Sequence, residues 1–395
     1  MTDAPTHDVV DGAEPVLEDV VGWRRHLHRH PELSFEERET AAYIADALAG
    51  FGEALEIERP AENSVVAHLR TGRPGPVVAL RADIDALPID EQSGVDFASE
   101  NRGVMHACGH DGHTAMLLAA AKVLVGRRDE LAGEVRFLFQ PAEEVPPGGA
   151  RVFVEAGVMD GVDLVVGAHL FSTVAVGKIA APVGPLTAAA DIWDAEVKGK
   201  GGHAAMPHQG VDPIVVASEV VLALQQVVSR SVDPIKSAVV SVTRFEGGSA
   251  HNVIPEAVKL AGTVRTFDPE VRATVRAGME RVLRGVTEAH GAGYSFDYVE
   301  GYDPVINDAW AAELVRAAAV SELGEDILVE QPPIMGGEDF SAYLARAPGV
   351  FFVVGAGDQG WTPHHHPRFT IDEKAFRNGI AVFVRTALDY LGTGP

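Results

Sequence analysis

Hydrophobic and polar positions follow two periods along this chain, and the switches between them mark its elements. From Glu18 to Gly50 apolar residues recur at helical spacing, interrupted at "HPE" and stopped by glycine after "AAYIADALAGF". "PVVALRADID" (76–85) opens as an apolar strand and ends in charge. "MLLAAAKVL" (116–124) is helical, while "EVRFLFQP" (134–141) and "GVDLVVGAHL" (161–170) are two more buried strands. Alternation of strand and helix predicts an α/β fold with a largely parallel central sheet.

The texture changes after "APVGPLTAAA". "DIWDAEVKGKGGHAAMP" (191–207) alternates and then meets glycines; "DPIVVASEVVLALQQVV" (212–228) is a long helix. "SAVVSVTRFEGG" (237–248), "AVKLAGTVRTFD" (257–268) and "YSFDYVEGY" (294–302) read as strands, with a helix over 269–291. Strands with two helices between them predict a compact α+β domain of about 110 residues. The first texture then returns with a helix over 308–322, the strand "VFFVVGAG" (350–357) and a final helix over 373–391. The expected organisation is therefore a domain at 188–300 inserted into one built from 1–187 and 301–395. There is no repeat or low-complexity tract.

Composition narrows the partners. The chain has 395 residues, 46% of them hydrophobic, enough for a full core. Its net charge of -25, with no basic cluster, argues against nucleic acid and anionic membranes. No run reaches the about 18 apolar residues that a membrane span needs. A single cysteine gives no disulfide evidence for secretion. Residues 1–15 are polar and acidic, which predicts a frayed start without a signal peptide. The expected location is the cytoplasm.

Candidate chemistry gathers where apolar runs end. "MHACGHDGH" (105–113) holds three histidines and the sole cysteine. Cys108 and His110 suit zinc or another borderline-soft divalent ion, although one C-x-H reads equally as a buried cysteine beside a polar helix start. Asp111 is placed to help that start by capping or through the helix dipole. In "QPAEEVPPGG", Glu143 and Glu144 are either a solvated loop or a divided pair, one carboxylate on metal and its neighbour a general base. His169 closes "LVVGAH", a place also taken by hydrogen-bonded core histidines. "WTPHHHPRF" (361–369) carries three consecutive histidines, of which one can reach a site. Ligand-type endings on several strands converge on one pocket in open α/β sheets. Five such ligands and a bridging oxygen suit a two-metal hydrolytic centre.

In order, "RADIDALPI", "MHACGHDGHTAML", "FQPAEE", "GAHL", "KGKGGHAAMPHQGVDP", "GGSAHNVIPE", "GTVRTFD" and "GGEDFSAY" resemble the co-catalytic metal aminoacylases and carboxypeptidases. The likeness is closest to the branch of hippurate hydrolase, bacterial N-acyl-amino-acid amidohydrolases and plant auxin-conjugate hydrolases. It runs from "LHRHPELSFEE" to "HHHPRFTIDE", nearly the whole chain. It implies a peptidase-type α/β catalytic domain with an inserted α+β lid and dimerisation domain. It also implies two divalent ions per subunit (zinc, manganese, cobalt or nickel) on Cys108, His110, Glu144, His169 and His365. His365 is chosen by the pattern His-x-Pro-x-aromatic, with His364 and His366 as the alternatives. Glu143 falls at the general base and Asp85 at a supporting carboxylate. His203 falls at an oxyanion-stabilising histidine, often supplied to a partner subunit, and Asn252 near the substrate carboxylate. Arg265 is a weaker substrate-binding candidate. His113 reads as loop support, and Glu338 and Asp339 as a cap before a helix.

The resemblance implies cleavage of an N-acyl or N-aroyl amino acid to a carboxylic acid and a free amino acid. The expected assembly is a homodimer, with a tetramer as the alternative. The competing readings are a dipeptidase or carboxypeptidase with the same centre, or a non-catalytic metal- or peptide-binding protein. Loss of Glu143 or of a ligand would signal the last, and neither is lost.

Overall fold

The computed structural model describes residues 16–357, 360 and 362–392; the acidic start and Trp361 lie outside them. The chain divides into two compact units, one of Met1–Leu186, Val305–Pro332 and Asp339–Pro395, the other of Thr187–Pro304 and Pro333–Glu338.

The first unit begins with helices α1 (Leu17–Arg29) and α2 (Arg38–Ala49) and strands β1 (Leu55–Glu58), β2 (Val65–Arg70) and β3 (Val77–Asp83). Helix α3 (His110–Gly126), β4 (Glu134–Gln140), α4 (Gly149–Glu155), β5 (Leu164–Ala175), β6 (Ile179–Ala180) and β7 (Gly184–Thr187) follow. The second unit holds β8 (Ala189–Lys198), β9 (Gly202–His203), α5 (Pro213–Ser231), β10 (Ala238–Glu246), β11 (Val253–Ile254), β12 (Ala257–Thr266), α6 (Pro269–Ala289) and β13 (Gly293–Tyr302). The chain returns to the first unit with β14 (Val305–Asn307), α7 (Ala309–Leu323), α8 (Ser341–Leu344), β15 (Gly349–Gly357) and α9 (Ala375–Leu391).

The main sheet has the order β1-β2-β4-β3-β5-β15-β6. Its centre, β4-β3-β5-β15, is parallel, and β1, β2 and β6 add antiparallel edges. The expected parallel core is present inside a mixed sheet. The central strands are apolar on both faces because helices cover them, as in "VVAL", "VRFLF" and "VFFVV". Helix α3 is buried along most of its length, which explains why its sequence from Ala115 to Val125 is, Lys122 apart, all Ala, Leu, Val and Met. A parallel centre aligns the carboxyl ends of β3, β4 and β5, where the site forms.

The second unit is a four-stranded antiparallel sheet, β10-β12-β8-β13, covered by α5 and α6 around a core that includes Trp193, Val220, Leu224, Leu260 and Met279. Asp212 and Asp268 cap the two helices, each followed by proline at the first helical position. Helix α5 is long and apolar enough, by length and composition, to cross a bilayer. Glu219, Gln225 and Gln226 interrupt that run, and its buried residues Val216, Ala217, Val220, Leu224 and Val227 follow the helical spacing that seats it on this sheet.

Candidate metal centre

Gly109 begins the site. Its φ of 98° puts the residue between Cys108 and His110 in the left-handed region, where glycine pays no Cβ penalty. The chain turns sharply into α3 there, so both neighbours enter one group with Glu144. Asp111 does not cap the helix. Its carboxylate accepts from Arg24 Nε (2.9 Å) and pairs with His28 Nδ1 (2.8 Å), all three side chains buried.

Asp85 organises two of the expected ligands. His110 Nδ1 donates to the Asp85 carbonyl (3.0 Å) and carboxylate (3.1 Å). The other Asp85 oxygen accepts from the Glu144 N–H (3.0 Å) and from Ser34 Oγ (2.7 Å). His110 Nε2 is thereby turned inward, where it is buried with no hydrogen-bond partner among the described residues. Glu144 Oε1 is likewise buried without one. The two atoms lie 3.9 Å apart, and His365 Nε2 lies 3.2 Å from the same Glu144 oxygen, close but not in hydrogen-bond geometry.

Cys108 belongs to two potential metal-holding groups, one with His110 and Glu144 and one with His169 and His364. Its sulfur is 3.5 Å from His169 Nε2 and 3.7 Å from His364 Nδ1. Hydrogen bonding separates these two histidines. His169 Nδ1 faces the Leu170 carbonyl (3.0 Å), to which it donates, leaving the Nε2 lone pair toward the sulfur. His364 Nε2 accepts from the Ser172 N–H (3.3 Å), so its proton sits on Nδ1 and points to sulfur as a donor. His364 is thus the histidine of that run grouped with Cys108 and His169, whereas His365, the expected ligand, lies outside that group with its Nε2 3.2 Å from Glu144 Oε1. The His365 N–H donates to the Ala107 carbonyl (2.8 Å), which ties its loop to the cysteine turn.

A third group, Asp83, His110 and His113, is already largely committed. His113 donates from Nδ1 to Asp83 (2.6 Å) and accepts at Nε2 from the Leu170 N–H (2.8 Å), so both ring nitrogens are used. The other Asp83 oxygen pairs with Arg81 (2.8 Å). Glu143 and Asp339 share a further group. The expected capping role of Asp339 is replaced: its carboxylate accepts from Arg81 Nη2 (2.9 Å), from Gln140 Nε2 (2.8 Å) and from the Ala150 N–H (2.9 Å), because buried Arg81 needs a counter-charge.

Electrostatics favours a cation here. Burial lowers the His110 pKa, but Asp83, Asp85 and Glu144 outweigh it and push it up to about 10. Burial and the Glu144, Glu143 and Asp83 carboxylates hold the Cys108 thiol well above its usual range. A divalent ion held by these residues would offset the carboxylates and take the place of both protons. Burial keeps His169 well below its ordinary value, and with it the neighbouring His113 and His364, so its imidazole is neutral, as a ligand must be. The residues present thus fit a pair of divalent ions in two groups, Cys108 with His110 and Glu144 and Cys108 with His169 and His364, Cys108 being common to both; the expected His365 stands beside Glu144 but in neither group.

Of the remaining expected residues, Glu143 is buried beside Glu144. His203, Asn252 and Arg265 lie in the second unit. His203 pairs with Val253 across the β9–β11 ribbon, and its Nδ1 accepts from the Ala205 N–H (3.1 Å), which leaves an Nε2–H donor on an exposed ring. The Asn252 carbonyl accepts from the Ala204 N–H (3.0 Å), so these two residues are neighbours. Arg265 is at the far end of β12, opposite Ala190, eight residues or about 25 Å along the strand from Ala257. Asp83 was read from the sequence only as a ligand-type ending of the run 76–85, beside Asp85; Ser34, Arg81 and Glu37 were not read as site residues, and their one signal was their place in "ELSFEE" and "RADID".

The chain is 56% identical over 294 residues to an N-acyl-L-amino acid amidohydrolase of Geobacillus stearothermophilus, covering 74% of this chain and 79% of that protein. It is 46% identical to an N-acetyl-L-cysteine deacetylase of Bacillus subtilis, over 90% of this chain and 84% of the relative. A Bacillus subtilis crystal structure, of a dinuclear metal binding peptidase from the M20 family, superposes with a TM-score of 0.84 at 39% identity, covering 96% of this chain and 99% of that one. Residues 79–389 match the family model Peptidase_M20, described as peptidase family M20/M25/M40. These likenesses join the carboxylate, cysteine and histidine cluster at the strand ends: the chain belongs to the peptidase family M20/M25/M40 and carries the metal-dependent hydrolase centre of that family.

Proposed function

We propose that this chain is an amidohydrolase cleaving N-acyl or N-aroyl amino acids to a carboxylic acid and a free amino acid. The observation that carries the reading is the pair of buried, unpartnered ligand atoms, His110 Nε2 and Glu144 Oε1, next to the Glu143 carboxylate. Two similar proteins whose names specify N-acyl amino acid and N-acetyl-L-cysteine chemistry support the substrate class. When bound, the ions supply Lewis acidity and lower the pKa of water. Glu143 takes a proton from the attacking water and returns it to the leaving nitrogen. His203 offers its Nε2–H to the carbonyl oxygen as negative charge develops there. Asn252 receives the substrate carboxylate, with Arg265 as the weaker candidate. A net charge of -25 does not steer an anion, so local positive charge must do so. The ions are zinc, manganese, cobalt or nickel; the assembly is a homodimer or tetramer; and the location is the cytoplasm.

The test is purification under reducing conditions, metal analysis, and assay of amine release from N-acetyl, N-benzoyl and dipeptide substrates. The expected result is metal-dependent cleavage of acyl substrates, falling about 100-fold or more in Glu143→Gln with metal retained. Cleavage of dipeptides alone would replace this reading with a dipeptidase, and a protein that takes up no zinc or manganese would remove the centre.

A further inference from the structure

Glu37 is fully buried at the N-cap position of α2, yet its side chain does not cap that helix. Glu32 takes the capping work, accepting from the N–H groups of Thr40 (2.8 Å) and Glu39 (3.3 Å). The Glu37 carboxylate is released to reach across the unit. One oxygen accepts from the Ala142 N–H (2.7 Å), and the other from Asn63 Nδ2 (2.8 Å). Ala142 is itself unusual. It is buried, it is not glycine, and its φ is 51°. Its carbonyl accepts from the Gly149 N–H (3.0 Å), so both of its backbone groups are tied. Gly149 can approach this closely because it lacks a side chain: a Cβ there would lie 1.8 Å from the Pro141 carbonyl oxygen.

The next two residues are Glu143 and Glu144. A left-handed residue bends the chain just before them, so they leave the end of β4 in directions that an extended continuation would not give. Glu143 enters the carboxylate group of Asp339, whereas Glu144 enters that of Cys108 and His110. Asp85 fixes the far side of the bend through the Glu144 N–H, and Ser34, three residues before Glu37, holds Asp85. The segment from Ser34 to Glu37 therefore grips both sides of the catalytic dipeptide.

We propose that Glu37 is a positioning residue, which holds Ala142 in its left-handed conformation and thereby aims Glu143 at the reacting water and Glu144 at the metal. The inference rests on the roles given to Glu143 and Glu144 above. Isolated alanine disfavours this conformation and glycine does not, so the role of Glu37 is replaceable by a glycine at position 142.

The experiment compares wild type, Glu37→Ala, Glu37→Gln, Ala142→Gly and the double variant Glu37→Ala/Ala142→Gly. Each is measured for kcat and KM on the best acyl substrate and, after metal stripping, for manganese(II) affinity by titration. Glu37→Ala is expected to lower kcat at least tenfold with KM within threefold, and to weaken manganese binding several-fold. Glu37→Gln, which keeps an acceptor for Ala142, stays within threefold of wild type. Adding Ala142→Gly to Glu37→Ala restores most of both losses. If Glu37→Ala does not fold, Glu37→Met, of similar volume and without an acceptor, carries the same expectations. Wild-type kcat and affinity in the non-accepting variant, or losses that glycine does not restore, would overturn the inference. Manganese affinity reports on Glu144 without turnover, so an inactive wild type would sink the proposed function while leaving this test readable.

Discussion

Asp85 and His110 form a carboxylate–imidazole pair, Oδ1 to Nδ1 at 3.1 Å, that decides which nitrogen of His110 is available. The same carboxylate also holds the backbone of Glu144, so it orients two ligands at once. Asp85→Asn keeps the volume but weakens the acceptor toward both. Metal affinity is expected to fall about 10- to 100-fold, with the fold intact by circular dichroism. Titration of the stripped protein with zinc or manganese checks this, and affinity equal to wild type would show that His110 does not need its carboxylate.

His113 makes a contrasting prediction. Both of its nitrogens are spent joining Asp83 on β3 to Leu170 on β5. His113→Ala is therefore expected to keep two ions per chain while leaving a buried carboxylate oxygen and a buried N–H without their partner. The stability loss is about 2–4 kcal/mol in urea unfolding. Metal analysis together with the unfolding curve separates the cases, because loss of one ion without loss of stability would make His113 a ligand.

Glu37 should leave a signature in the pH dependence of stability. Burial pushes its carboxyl up from 4.5 to about 7, against the opposing hydrogen bonds from Asn63 and Ala142. The unfolded chain releases this proton near pH 4.5 and the folded chain near 7, so the folded state holds more protons in between. Stability from this group is complete below pH 4.5, declines as pH rises toward 7 and is level above. Glu37→Gln removes the titration. Its unfolding free energy relative to wild type is expected to rise across that window, by on the order of 3 kcal/mol, and then to flatten. Other titrating groups cancel in the difference; a difference independent of pH would contradict the burial-raised value.

The elements carrying these residues were legible to different degrees. Strands β3 and β4 announced themselves as apolar runs with Asp or Glu at or just past their ends, because a doubly covered strand has no polar face and its chemistry is left to its end; the expected ending at His169 was not met, since β5 continues through buried Leu170 and Phe171 to Ala175 and leaves the histidine in mid-strand. The edge strands β1 and β2 were not read: "LEIE" is short, and its alternation is too brief to distinguish from a loop. They and β6 make the sheet mixed. The cysteine, histidines and glutamates of the cluster, with Asp85 and His113 as supports, were legible from residue type and order, but the more distant supports were not. Arg81 meets Asp339 across 258 positions and Ala142 meets Glu37 across 105, and no local pattern encodes such pairs. Asp339 looked like a helix cap because "GGEDFSAY" has cap-like composition; burial of Arg81 claimed its carboxylate instead.

In the second unit the corresponding buried charge is Asp191 on β8, with no exposed surface. It accepts from Arg272 Nε (2.8 Å), the Tyr298 hydroxyl and the Gly301 N–H (3.0 Å), so it ties α6 and β13 to the strand between β12 and β13. Burial alone would raise the Tyr298 pKa; Asp191 accepting its proton raises it further. Arg272 donates from Nη2 as well, so Asp191→Ala removes the acceptor of four donor groups on three residues at once. Arg272 keeps only Asp303, which is exposed and screened by solvent. Removing one side of a buried pair costs about 3–5 kcal/mol, because the remaining charge stays desolvated. A loss of that size should lower the thermal midpoint by several degrees while leaving metal stoichiometry at the wild-type value, since no expected ligand belongs to this unit. Calorimetry with metal analysis tests it. An unchanged midpoint would mean that solvent reaches Arg272 and replaces the carboxylate, and a fall in bound metal would mean that the second unit contributes to the centre.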